Sequence, residues 1–174
     1  TADRHLGAAR IGRLKPDVLI TESTYATSIR DSKRSREAEF LSLVHSTITA
    51  GGKVLIPSFA VGRAQELLML LETYWDRMGL RVPIYVSAGL GQKATLYYKL
   101  FIDWTSPHVK QLAQEFGRNP FDFRHVRPFH RSKLYDEGPA VLFATPAMLH
   151  AGMALEAFHA WAGGPNNLVL FPSY

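Results

Sequence analysis

The sequence contains no cysteine, so a disulfide framework and a metal site with thiolate ligands are both excluded. No apolar run approaches the roughly 20 residues that a membrane-spanning helix needs, and the first residues lack the pattern of a signal peptide. We therefore expect no membrane partner. The runs Gly-x-Gly-x-x-Gly and Gly-x-x-x-x-Gly-Lys-Ser/Thr are also missing, which argues against a domain that binds a free nucleotide.

The composition is that of a single basic globular domain. The chain has 174 residues, of which 47% are hydrophobic and 20% are charged, enough for a substantial core. Its formal net charge is +5 and its pI is near 9.6. This charge suits a protein that binds nucleic acid, and solvated surface lysines and arginines explain it equally well.

Short apolar runs alternate with stretches of helical periodicity. The runs predict strands at residues 18–20, 54–56, 82–86, 140–144 and 167–171. The periodic stretches predict helices at residues 37–49, 64–75, 92–104, 109–116 and 153–161, and a short helix that starts at Asp3 and carries Leu6, Ala9 and Ile11. Residues 119–136 are expected to be irregular. The alternation predicts an α/β fold with a mainly parallel sheet and helices on both faces.

Small or polar residues follow each predicted strand. They are Thr21-Glu22-Ser23, Ser58, Ser87, Thr145 and Ser173. In an open parallel sheet, the carboxyl ends of the strands share one rim, where such folds bind their ligands. The pattern therefore predicts a binding site on that rim, without identifying its chemistry. Ser58 and Thr145 are candidates for hydrogen bonds to a substrate backbone, or equally for local capping.

The most informative stretch is residues 51–75, which predicts a strand, a polar turn and a helix. Gly62 and Arg63 stand where the helix should begin. Free backbone N–H groups and the helix dipole favour an anion there, and the guanidinium of Arg63 matches a phosphate group. Arg63 is therefore a candidate phosphate ligand. The alternative is an ion pair with a carboxylate such as Glu66.

Residues 119–136 combine aromatic and basic side chains. Three phenylalanines (Phe121, Phe123, Phe129) alternate with four cations (Arg124, Arg127, Arg131, Lys133). This pattern is typical of a surface that binds single-stranded RNA, but a core role for the phenylalanines, with solvated cations, is favoured slightly.

The histidines of the chain form no metal-ligand motif, because no His-x-His or His-x-x-x-His spacing occurs. We therefore expect structural or exposed histidines and no metal ligand.

Several separated motifs together resemble the β-CASP domain, which is inserted in metallo-β-lactamase-fold RNA nucleases. These motifs are Asp3-Arg4-His5-Leu6-Gly7-Ala8-Ala9, Ile20-Thr21-Glu22-Ser23-Thr24-Tyr25, Lys53-Val54-Leu55-Ile56-Pro57, Gly62-Arg63-Ala64-Gln65-Glu66-Leu67 and Phe143-Ala144-Thr145-Pro146. The resemblance covers essentially the whole chain. It implies a Rossmann-like fold and assigns residues 1–174 to one β-CASP domain.

The resemblance also implies a hydrolase that cuts RNA phosphodiester bonds with two zinc ions, in RNA 3′-end processing. It places the zinc ligands in flanking metallo-β-lactamase segments, so residues 1–174 are expected to bind no zinc and to be inactive alone. The implied partners are RNA and the subunits of a multi-protein complex, including a homologous inactive subunit. The implied location is the nucleus, with the cytoplasm as the alternative. A catalytically dead homologue that pairs with an active nuclease is the alternative function.

Two further expectations follow from the resemblance. Glu22 matches an acidic residue that orients, through a hydrogen bond, a general-acid histidine outside residues 1–174. The alternative is a carboxylate that caps a loop. One position departs from the family pattern, because Pro146-Ala147-Met148 stands where the family has Pro-Gly-Met. If that glycine needs a positive φ, Ala147 would cost about 1 kcal/mol or shift the loop.

Overall fold

The computed structural model describes residues 5–9, 11–29 and 32–172, without the side chains of Leu90 and Phe116. Within these ranges, the chain forms five α-helices and five strands. The helices are α1 (Lys33–Thr49), α2 (Arg63–Met78), α3 (Leu90–Leu100), α4 (Pro107–Phe116) and α5 (Gly152–Trp161). The strands are β1 (Lys53–Pro57), β2 (Ile84–Ser87), β3 (Val126–Phe129), β4 (Ala140–Ala144) and β5 (Leu168–Val169), and 3-10 helices span Ile102–Trp104 and Arg131–Tyr135. None of these helices is both long enough and apolar enough to cross a membrane.

All the strands are parallel and form one sheet in the order β3-β2-β4-β1-β5. The longest ladder joins β1 to β4, from the pair Lys53 and Ala140 to the pair Pro57 and Ala144. The sheet confirms the prediction of an α/β fold with a parallel sheet. Its topology also places the carboxyl ends of β2, β4 and β1 side by side.

Helices cover both faces of this sheet, as predicted. Alternate residues of a strand point to opposite faces, so each face has its own core. One core contains Val54, Ile56, Val141 and Phe143 with Val44, Ile48, Leu68 and Trp75 of α1 and α2. The other contains Leu55, Leu142 and Ala144 with Ala154, Ala157 and Trp161 of α5.

Helix α1 ends at Thr49 as predicted but begins four residues before the predicted start at residue 37, and α2 extends one residue before and three residues beyond the predicted 64–75. Ser32 is the N-cap of α1, and its Oγ accepts the backbone N–H of Ser35 at 3.1 Å. The chain leaves α1 through Gly51, whose φ is +78°. Helix α2 begins directly after Gly62 and ends at Gly79 in the left-handed conformation. Glycine is the residue that adopts such positive φ angles without strain.

The strand predicted at residues 18–20 is wrong. Val18, Leu19 and Ile20 are 77%, 77% and 92% exposed, and they belong to none of the strands. An apolar run forms a strand only when its backbone finds a partner, and the described sheet offers none to this run. Thr21, Glu22 and Ser23 consequently do not follow a strand of the sheet, and Ser173 lies outside the described residues.

Two other local predictions differ from the structure. No helix forms in residues 5–9 or 11–15, while Asp3 lies outside the described residues. Strand β3 falls inside the stretch expected to be irregular. It is an edge strand that pairs with β2 alone, and an edge position tolerates Pro128 and a polar sequence.

Trp75 is the clearest test of the core formed by α1 and α2. Its side chain is fully buried, and its indole N–H donates to the carbonyl of Val82 at 2.7 Å. We expect Trp75→Ala to lower the free energy of unfolding by about 3–5 kcal/mol, because a large cavity replaces the ring. Chemical denaturation measures this change. Met78→Ala, at a 48% exposed position of the same helix, should stay within about 0.5 kcal/mol; equal effects of the two substitutions would contradict this packing.

Candidate nucleic-acid interface

The carboxyl rim of the sheet brings Ser58 and Thr145 together, as predicted. They follow β1 and β4, whose last paired residues are Pro57 and Ala144. The backbone N–H of Ser58 extends this ladder by donating to the carbonyl of Ala144 at 2.9 Å. Ser58 is only 2% exposed, whereas Thr145 is half-buried. The outer surface of the rim is therefore formed mainly by the loops beyond these residues.

The turn between β1 and α2 is held by a buried glutamine. Gln65 is 1% exposed; its Oε1 accepts the backbone N–H of Gly62 at 2.8 Å, and its Nε2 donates to the carbonyl of Ala60 at 2.9 Å. These two bonds fix the turn from inside. Phe59 and Val61 point outward and are 59% and 52% exposed.

Arg63 lies at the first position of α2, where the sequence places it. Its Nη1 donates to Oε2 of Glu66 at 2.8 Å, and its Nη2 donates to the carbonyl of Pro172 at 3.4 Å. The structure thus contains the ion pair that sequence reasoning left as the alternative. The side chain is 23% exposed. An arginine carries five N–H groups, so these two contacts leave donors for a phosphate group at the rim.

Glu22 lies in an exposed segment outside the sheet, just before the turn at residues 24–27. The backbone N–H of Thr24 donates to its Oε2 at 2.8 Å, which is the local capping contact expected under the alternative interpretation. A carboxylate has two oxygens and several acceptor positions. The orienting role inferred from the resemblance stays a prediction.

Comparison with known proteins gives the family. The Beta-Casp domain model matches residues 64–174. The chain belongs to the Beta-Casp domain family. It is 58% identical to Integrator complex subunit 11 of Danio rerio, over 100% of this chain and 29% of that relative. It is 59% identical to Cleavage and polyadenylation specificity factor subunit 3-II of Arabidopsis thaliana, over 100% of this chain and 28% of that relative.

A more distant relative is Endoribonuclease ysh1 of Schizosaccharomyces pombe. It is 41% identical over 99% of this chain and 23% of that relative. The Beta-Casp chain therefore spans less than a third of the length of these relatives. The resemblance stated from the motifs is confirmed for the family and the fold.

Ala147 fits this Beta-Casp domain without strain. Among the described residues other than glycine, only Leu149 has a positive φ, of 54°. Ala147 is 2% exposed, so its methyl group is accommodated in the packed loop after β4. Ala147 consequently carries no cost from a positive φ in this loop.

The cluster of aromatic and basic residues at 119–136 has the core role that was favoured. Phe121 and Phe129 are 0% and 3% exposed. Arg131 forms an ion pair with Glu156 of α5, and Lys133 pairs with Asp136. The buried phenylalanines anchor the segment to the rest of the domain, and the charged groups of Arg131 and Lys133 lie outside the hydrophobic core.

The histidines that contact aromatic rings are structural, as expected. His5 and Tyr98 are joined by a hydrogen bond of 3.1 Å from Nε2 to Oη. His45 and Tyr74 are joined by one of 3.0 Å from Nδ1 to Oη. Both pairs connect side chains that are far apart in the sequence. These imidazoles therefore serve packing within the Beta-Casp domain.

One group of possible metal ligands occurs in the described part of the chain, formed by Glu72, Asp76 and His125. Its members satisfy one another without an ion. Glu72 is buried and accepts the backbone N–H groups of Arg124 and His125. Asp76 makes contacts of 2.9 Å with His125 Nε2 and with Arg118 Nη2. The group ties residues 118–125 to α2.

This group also lies towards the edge of the sheet opposite the carboxyl rim, so it cannot hold a metal ion at the rim. Helix α2 starts at the rim with Arg63 and runs towards the opposite edge. Glu72 is nine residues farther along, or about 14 Å at the rise of an α-helix. The group therefore does not fit the zinc site that the resemblance implies.

The ion pairs of Asp76 predict a pH dependence. The hydrogen bond from His125 lowers the pKa of Asp76 below its ordinary value of 3.8; partial burial acts in the opposite direction, and Arg118 adds to the lowering. A lowered carboxyl pKa stabilises the fold above the ordinary value, and this contribution is lost as the pH falls through the folded-state pKa. Asp76→Asn should thus be less stable than the wild type near neutral pH, by about 0.2–1 kcal/mol for such exposed pairs.

Well below pH 3.8, the difference between Asp76→Asn and the wild type should vanish, because both lack the charge. Thermal unfolding at a series of pH values measures this. Asp17→Asn, at an exposed position of the N-terminal segment, is the control and should not change the profile. A pH-independent loss of stability in Asp76→Asn would show that packing, rather than charge, accounts for its contribution.

Gln65 gives a test of the turn. In Gln65→Leu, the N–H of Gly62 and the carbonyl of Ala60 lose their partner inside the domain, which costs about 1–3 kcal/mol. We expect the amide hydrogen of Gly62 to exchange much faster in this variant, as measured by NMR hydrogen exchange. Gln92→Leu, at an exposed position of α3, is the control. Unchanged protection of the Gly62 amide would mean that other contacts hold the turn.

Proposed function

We propose that this Beta-Casp domain is part of a metal-dependent RNA endonuclease that acts in RNA 3′-end processing in the nucleus. The observation that carries the proposal is an identity of 58–59% along the whole chain with Integrator complex subunit 11 and with Cleavage and polyadenylation specificity factor subunit 3-II. The name of a further relative is that of an endoribonuclease. The domain contributes one wall of the RNA-binding cleft, namely the carboxyl rim of its sheet.

On this rim, Arg63 is proposed to hold an RNA phosphate. The position at the N-terminus of α2 supports this role, because the helix dipole and the guanidinium attract the same anion. The pair with Glu66 holds the guanidinium in place at 2.8 Å. Thr145, which is half-buried directly after β4, is proposed to donate a hydrogen bond to the sugar–phosphate backbone. For Ser58, 2% exposed, the same contact requires the turn to move.

Glu22 is proposed as a positioning residue. Its carboxylate would accept a hydrogen bond from a histidine outside residues 1–174, which would hold that imidazolium in the orientation needed to protonate the leaving 3′-oxygen. A carboxylate beside an imidazolium also favours its protonated form. The exposed position of Glu22 supports this role, because a partner from outside these residues can reach it.

The two zinc ions of the proposed nuclease have no ligands at the rim among the described residues. The one described group of donors lies towards the other edge and is already satisfied. We therefore propose that residues outside this chain hold the zinc, and that this chain alone cleaves no RNA. The relatives are named as subunits of the Integrator complex and of a cleavage and polyadenylation factor. By analogy, the proposed partners are the subunits of such a complex, including a homologous inactive one.

The test uses the full-length protein and a single-stranded RNA substrate. Glu22→Ala should slow cleavage about 10-fold to 100-fold, the usual effect of removing the carboxylate that orients a functional histidine. Zinc content, measured by mass spectrometry, should stay unchanged. The pH–rate profile should also change, with its alkaline limb shifted to lower pH because the general acid loses the carboxylate that favours its protonated form.

Glu137→Ala, at an exposed position far along the chain, is the matched control and should cleave RNA like the wild type. Normal cleavage by Glu22→Ala would remove Glu22 from the mechanism. If the wild-type full-length protein does not cleave RNA at all, the catalytically dead homologue is the correct function.

A further inference from the structure

A concave apolar surface lies on the outer side of α3 and reaches Val61 in the turn before α2. We call it the aromatic groove, and it is lined by Leu6, Val61, Lys93, Tyr97, Phe101 and Trp104, with Ala94, Tyr98 and Thr105 at its base. Trp104 is 81% exposed, and Tyr97 and Phe101 are 61% and 53% exposed. Three neighbouring aromatic side chains at this exposure mark a binding surface.

The groove is built on a firmly anchored element. Tyr98, on the inner side of α3, stacks on the fully buried Phe121 with a centroid distance of 5.1 Å. Its hydroxyl also bonds His5 at 3.1 Å. Tyr97 and Phe101, on the outer side, lie nearly parallel to each other, with an interplanar angle of 16°. The inward contacts of Tyr98 therefore anchor α3, and the outward rings project from this anchored helix and its C-terminal end.

The groove opens at the carboxyl rim. Val61 belongs to the turn that precedes α2, and Lys93 lies in the first turn of α3, directly after β2. Lys93 is exposed, and no ion pair joins it to a carboxylate among the described residues. The groove thus combines apolar flat surfaces with an available cation, on the edge of the sheet where Arg63 lies.

We propose that the aromatic groove binds single-stranded RNA, with bases stacked on Trp104 and on the Tyr97–Phe101 pair, and a phosphate held by Lys93. This inference rests on the proposed function, and it extends the RNA path from Arg63 onto α3. Exposed aromatic rings accept any base on their faces, and a neighbouring cation follows the backbone. A double helix cannot bind in this way, because its bases are already stacked on one another.

The tryptophans make the proposal directly testable. The chain has three; Trp75 and Trp161 are 0% and 4% exposed, whereas Trp104 is 81% exposed. A base stacked on Trp104 should quench the exposed part of the intrinsic fluorescence. We would titrate the 174-residue chain with a ten-nucleotide single-stranded oligoadenylate, and with an RNA duplex of the same length. The single strand should quench and protect Trp104 from acrylamide, and the duplex should not.

Two substitutions test the stacking. Binding by fluorescence anisotropy of a labelled oligoadenylate should weaken about 5-fold to 150-fold in Trp104→Ala and in Tyr97→Ala, the range expected for the loss of one stacked base. Trp104→Phe should recover most of the affinity. Tyr135→Ala is the control, because Tyr135 is also 81% exposed but lies on a different element. Lys93→Gln should weaken binding and reduce its dependence on salt.

Three outcomes would overturn the proposal. The first is wild-type affinity in both Trp104→Ala and Tyr97→Ala. The second is equal quenching by duplex and single strand, which would indicate charge attraction alone. The third is protection of Trp104 from acrylamide in the full-length protein without RNA, which would show that another protein segment covers the groove. Cleavage of RNA by the full-length protein in any of these cases would leave the proposed function standing and remove the groove alone.

Discussion

The parallel ladder between β1 and β4 is the interaction on which the rest of the molecule depends. Five consecutive residue pairs hold the two strands in register. Both strands are buried along nearly their whole length, so each contributes to the cores on both faces. The same ladder continues into the hydrogen bond from Ser58 to Ala144. The pairing that organises the core therefore also sets the position of the loops on the rim.

The central elements could be predicted because their sequence patterns need little context. Residues 140–144 are all buried, as a continuous apolar run indicates, and α2 carries its apolar residues at helical spacing. Val18, Leu19 and Ile20 show the limit of this reasoning. Their pattern is that of a buried strand, but a strand also needs neighbouring backbone, and sequence spacing contains no information about that. The edge strand β3 was missed because it pairs with β2 alone. A strand with one neighbour tolerates a polar sequence, so its residues lack the apolar pattern that predicts a strand.

The site was predictable to a similar degree. Gly62 and Arg63 were located because a polar turn followed by apolar residues at helical spacing indicates where a helix begins. The function of Gln65 was not predictable, because a glutamine on a helix usually faces solvent. It became clear only from its burial and its two backbone partners. The aromatic groove was also missed, since Tyr97 on α3 and Phe101 directly after it are four residues apart, and this spacing is equally typical of a core stripe.

The contact of Glu72 with the segment before β3 has a consequence for sequence variation. This buried carboxylate accepts hydrogen bonds from the main-chain N–H groups of residues 124 and 125 rather than from their side chains. Every residue type except proline provides such a donor. Evolution can therefore change the side chain of Arg124 freely while the anchor to α2 persists. Proline is the one residue that should not replace Arg124, because it has no backbone N–H to donate to Glu72.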